Sequence, residues 1–181
     1  SIGCCTRMRR SKRRSLSSSP AILETTVTMP ARADQLERAH EALESFWAKL
    51  RRLQPTAAGS ELTMRFATAV AEIAANIVEH AYPPGGPDDR LQLLLRAYPD
   101  RVEALFTDRG VLFVEAAVPP SPNDRELAEG GYGLALARAA ADVVAYRRTT
   151  DGINEWRVVK KLDESGQPAT PTDAAEDLPG C

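Results

Sequence analysis

Cysteine is almost missing from this chain: of 181 residues only Cys4, Cys5 and Cys181 are present, all near the ends. The interior therefore has no pair from which to close a disulfide, and a reducing, cytoplasmic setting fits. Histidine is equally sparse. His40 and His80 are the only two, neither in a Cys-x-x-Cys context, so there is no zinc framework. No apolar run approaches the roughly 20 residues that cross a bilayer, and no basic, apolar and cleavage-site succession opens the chain. Neither a membrane span nor a secretion signal is expected.

Charge of one sign is also missing, locally, at each end. Residues 1–19 carry six bases and no acid, and residues 163–181 carry five acids and no base. These stretches are expected to be unstructured tails, with residues 1–20 basic and Ser-rich and 163–181 acidic with prolines. No aromatic interleaves the basic run, so direct nucleic-acid binding is not expected. Between the tails, 21–162 is read as one domain, because a chain of 181 residues with 43% hydrophobic and 27% charged residues suits a single soluble core.

The order of elements follows from periodicity. "AILETTVTMP" (21–30) is β-branched and bounded by prolines, which predicts a strand at a sheet edge. In 33–53, Leu36, Ala39, Leu43, Phe46, Trp47 and Leu50 fall at helical spacing with charges opposite. A second helix is predicted from about 61 to 81, stopped by "YPPGGPDD". "RLQLLLRAY" and "RVEALFTD" then form a hairpin around Pro99-Asp100. Residues 111–130 lose clear periodicity and read in part as a long loop, of the kind that covers sites. A third helix near 130–144 precedes two strands joined at Asp151-Gly152. Blocks of helices and strands, without strict alternation, predict an α+β sandwich with helices on one face of a mixed, mostly antiparallel sheet.

The second helix carries one oddity. Leu62, Phe66, Val70, Ile73 and Ile77 form its core stripe, and Glu72, Asn76 and His80 run along the border at steps of four. Polar groups at that border must find partners, since an unsatisfied one costs about 1–3 kcal/mol. One solution is internal, with Asn76 on a loop backbone and Glu72 paired to an arginine such as Arg65. The other is a ligand. Two further features bear on the choice. "FTDRG" ends a strand in Asp108 and Gly110, an acceptor beside a position where a flat ring can approach the backbone. "EGGYGLALA" puts Gly130, Gly131 and Gly133 at the start of a helix, where free N–H groups and the helix dipole favour an anion.

Glu-x-x-x-Asn on a helix, Asp-x-Gly after a strand, then Gly-x-Gly-Leu opening a helix resembles the nucleotide site of the GHKL superfamily, the gyrase, histidine kinase and MutL type ATPases. "AEIAANIVEHAY" is most similar to the RsbW/SpoIIAB-type anti-sigma-factor serine kinases. The resemblance covers about residues 21–162 and implies a Bergerat-type ATP-binding fold using ATP and Mg²⁺. It implies Asn76 as the metal ligand, Asp108 and Gly110 at adenine, Gly131, Gly133 and Leu134 at the phosphates, and Glu72 as general base for a serine of an anti-anti-sigma (STAS) protein. It further implies a sigma factor as partner and a homodimer. Leu112 departs from the family's second glycine, Asp-x-Gly-x-Gly, and a side chain there is expected to narrow the lid hinge. A sequestering module without efficient transfer is therefore the alternative. A histidine kinase module, suggested by "HEALES" at His40, lacks the Thr-Pro that should follow. His80 receives no role.

Overall fold

The computed structural model describes residues 19–55, 59–82, 89–114 and 132–162. Residues 1–18 of the first tail, the second tail, residues 115–130 of the expected long loop and Gly131 lie outside the described residues. Five strands, β1 (Leu23–Pro30), β2 (Arg90–Ala97), β3 (Arg101–Asp108), β4 (Val143–Arg148) and β5 (Asn154–Lys161), form one sheet in the order β1-β2-β3-β5-β4. All four pairings are antiparallel, and β1 is an edge strand, where its terminal proline is tolerated. Among the described residues three α-helices, α1 (Leu36–Leu53), α2 (Ser60–His80) and α3 (Tyr132–Ala140), complete the α+β architecture.

Alternation in the strands decides which face is covered. Leu91, Leu93, Leu95 and Ala97 of β2, Val102, Ala104 and Phe106 of β3, and Trp156 and Val158 of β5 share one face and are buried. Against it α1 lies over β1 and β2, α2 lies over β5, and α3 packs beside α2 and near β4. The predicted stripe of α2, Leu62, Phe66, Val70, Ile73 and Ile77, is wholly buried. Each such side chain contributes about 1.5–3 kcal/mol by leaving water. Trp47 bridges α1 and α2, meeting the Phe46 and Phe66 rings edge-on at 5.3 and 5.8 Å.

The opposite face is largely polar. Glu24 pairs with Arg96, Arg147 with Glu155, and Glu103 lies between Arg101 and Arg157. Burial alone would raise the Glu103 pKa, but the hydrogen bonds and charges of Arg157 and Arg101 outweigh it and hold the carboxyl below its ordinary value. A depressed folded pKa stabilises above the unfolded value, and that stability is lost as pH falls through the folded one. Removing one member of such a buried group strands the others. Glu103→Ala is expected to destabilise by about 3 kcal/mol, read as a lower midpoint in urea at neutral pH.

The third helix is shorter than its sequence suggested. It ends at Ala140 because Asp142 is drawn to β5: its N–H donates to Val159 O at 2.9 Å, and its carboxylate accepts from Lys160 Nζ at 3.0 Å and Lys161 N at 2.6 Å. The β-branched Val143 and Val144 then start β4. Gly152 turns the last hairpin at φ +78°, a conformation that favours glycine.

Candidate active site

One end of the sheet gathers the polar residues that the core does not use. Here β3 exits at Asp108, β5 enters at Asn154, and α2 ends beside them at Ala81. The join between these elements is a glycine. A Cβ built on Gly110 would stand 2.3 Å from Ala81 O and 2.6 Å from Ala81 Cβ. No side chain fits. Val111 N–H also donates to Ala81 O at 2.7 Å, so the turn after β3 is fixed to the end of the helix that carries Asn76. Gly110→Ala must push backbone against backbone and is expected to cost about 1–3 kcal/mol, measured as a fall in thermal midpoint.

Asp108 is 3% exposed, and its two oxygens are treated differently. Oδ1 accepts from Gly110 N at 2.7 Å and Asn154 Nδ2 at 2.8 Å. Oδ2 is buried and has no hydrogen-bond partner among the described residues. Burial raises the Asp108 pKa, and the donors on Oδ1 and the Arg148 charge only partly oppose it. Such a carboxylate oxygen is an acceptor that lacks a donor. Nearby, Tyr82 donates to Arg90 O at 3.0 Å and accepts from Arg109 N at 3.1 Å. Desolvation first, with the Asp108 charge adding to it, pushes the Tyr82 pKa up, so Tyr82 is a neutral spacer.

The row on α2 is not satisfied internally. Arg65, the partner suggested for Glu72, instead pairs with Glu61 at 3.0 Å. Glu72 and Asn76 are half-buried, and among the described residues neither side chain has a hydrogen bond or ion pair. Glu72 faces α3: a Cβ on Gly133 would lie 2.7 Å from Glu72 Oε2. The carboxylate thus rests against the first turn of that helix, and Leu134 of the same turn packs half-buried on the core. His80 is exposed beside Glu79 at 3.9 Å, away from this arrangement of bonds. His40 lies on α1, exposed and 3.2 Å from Glu44.

Leu112 is 53% exposed. Its neighbour Phe113 is the anchored residue, packed against Trp156 and Tyr146 with ring centroids at 4.7 and 5.4 Å. Sequence reading missed the residues behind Asp108. Asn154, Tyr146 and Arg148 are joined by Tyr146 Oη donating to Asn154 Oδ1 at 2.7 Å and Arg148 Nη1 donating to the same oxygen at 2.9 Å. The available signal was an asparagine at an inward position of the last strand, in phase with Trp156 and Val158. Its pairing with Asp108 depended on a register that only the fold supplies.

These positions lie within residues 29–160, which match the family model of the histidine kinase-like ATPase domain. The chain belongs to that family. This histidine kinase-like ATPase domain is also similar to the serine-protein kinase RsbW of Halalkalibacterium halodurans, 40% identical over 83 residues. That match covers 42% of this chain and 49% of the relative, so the chain spans about half the length of the curated relative it matches. The GHKL resemblance, close to RsbW-type kinases, is borne out. No helix among the described residues is long and apolar enough to cross a membrane.

Proposed function

We propose that this domain binds Mg-ATP at the end of the sheet and transfers the γ-phosphoryl group to a serine of an anti-anti-sigma (STAS) protein, alternating between that partner and a sigma factor. The observation that carries the reading is the set of polar groups left unmet among the described residues, in family order: Asp108 Oδ2 buried and without a partner, and Asn76 and Glu72 unpaired on α2. Asp108 accepts the adenine amine, and Gly110 keeps the backbone low beside the ring. Gly133 and Leu134 line the phosphates at the start of α3, and Gly131, just before the described residues, belongs to the same phosphate-binding sequence.

Asn76 is the protein's ligand for Mg²⁺, a hard cation that suits its amide oxygen. Among the described residues no group of three His, Cys, Asp or Glu side chains gathers to hold a metal. A cation held by one amide, phosphate oxygens and water matches magnesium's preference. When bound, it supplies charge neutralisation on the phosphates. Glu72 takes the proton of the serine hydroxyl as that oxygen bonds to the γ-phosphorus and the bond to the β–γ bridging oxygen breaks, leaving ADP and phosphoserine.

Incubating the protein with γ-labelled ATP, magnesium and a STAS-domain partner tests this. Label on a partner serine, absent with Glu72→Ala, is expected. Nucleotide binding with no transfer in either protein would favour a domain that regulates by sequestering its partner. The exposed Leu112, which leaves the hinge with a side chain instead of a glycine, is the observation on that side.

A further inference from the structure

The hydrogen bonds behind Asp108 run in one direction, and that direction has a consequence for the ligand. Tyr146 Oη accepts from Phe113 N at 3.1 Å, which leaves its own proton to donate to Asn154 Oδ1. Arg148 has only donors, and it takes the second lone pair of Asn154 Oδ1 while also reaching Gly110 O at 3.0 Å. With its oxygen so occupied, the Asn154 amide can turn only its NH₂ toward β3. The groups there are all acceptors: Asp108 Oδ1 at 2.8 Å, Val111 O at 3.1 Å and Gly110 O at 3.3 Å. The amide orientation is therefore determined from both sides, and Asn154 is 2% exposed, so water does not compete.

We infer that Asn154 is a specificity-determining residue: by donating to Asp108 Oδ1 it keeps that carboxylate an acceptor at Oδ2, so the site takes a 6-amino purine and rejects a 6-oxo purine. The inference rests on the nucleotide reading above and adds the residue that sets the polarity of base recognition. An exocyclic amine completes the orphaned Oδ2. A carbonyl at the same place sets oxygen against a buried carboxylate oxygen, which is worse than having no group there at all.

Asn154→Asp conserves shape and reverses the polarity. A second carboxylate facing Oδ1 disfavours the ionised form of Asp108, and the proton it then takes belongs on Oδ2, because Oδ1 still accepts from Gly110 N; Asp108 can then present a donor to the ligand. The experiment measures dissociation constants of the full chain for the magnesium salts of ATP, inosine triphosphate and purine riboside triphosphate, which lacks a 6-substituent. The wild type is expected to bind in the order ATP, purine riboside triphosphate, inosine triphosphate, with ATP favoured over the 6-oxo analogue by about tenfold or more. In N154D that preference should fall to within about threefold, at retained binding of the purine analogue. Unchanged preference in folded N154D would overturn the inference and leave the nucleotide reading intact. If N154D does not fold, the wild-type series decides, since equal binding of the purine and 6-oxo analogues would overturn it. No binding of any of the three by wild type would overturn both.

Discussion

Replacing Asp108 by asparagine is expected to weaken ATP binding about a hundredfold while leaving the free protein at least as stable as wild type. The affinity loss comes from two changes at one atom. A charge-assisted hydrogen bond worth about 1.5–3 kcal/mol disappears, and an NH₂ group comes to face the ligand's own amine. The stability expectation comes from the raised pKa of Asp108, whose first cause is burial. A carboxyl with a folded pKa above its unfolded value favours folding below the unfolded value, and that favour is lost as pH rises through the folded one. At neutral pH the ionised group is a burden that asparagine lacks. The same sign governs binding in the wild type, where acidification through the raised pKa protonates the acceptor and weakens ATP affinity. Fluorescent-nucleotide titrations across pH, with thermal melts of the ligand-free proteins, check both halves.

Glu72→Gln is expected to separate chemistry from binding. Removal of a general base costs about 10²–10⁴-fold in rate. Among the described residues the Glu72 side chain has no ion pair or hydrogen bond to lose, and glutamine keeps its volume against Gly133. The turnover number for partner phosphorylation should therefore collapse while the thermal midpoint and ATP affinity stay near wild type. A parallel loss of affinity or stability would make Glu72 a structural residue of the α2–α3 contact instead.

The contrast between these two carboxylates shows what was legible in the sequence. The α2 stripe and its polar border, and the strand ending in Asp108-Arg109-Gly110, follow from periods of 3.6 and 2 that any reader can count. The helices and strands emerged in the expected order for the same reason, with β1 at the edge its prolines suggested. Local pattern could not give the long-range register. Asp108 sits opposite Asn154 across β3 and β5, separated by 46 residues, and nothing near either residue announces the other. The sequence suggests room for a flat ring at Gly110, and the structure shows a close approach to Ala81 that depends on how α2 meets the sheet. The internal alternative that pairs Glu72 with Arg65 does not form, because a nearer acid lies within reach of Arg65 on the same helix. Glu61, four residues before it, is its partner.

Calorimetric titration of the full chain with Mg-ATP tests the central claim most directly. Saturable binding of one ATP per chain, requiring magnesium and weakened by Asn76→Ala, is predicted. Absence of binding heat at millimolar ATP, across several temperatures so that a zero enthalpy is not mistaken for no binding, would contradict the assignment of this end of the sheet to a nucleotide.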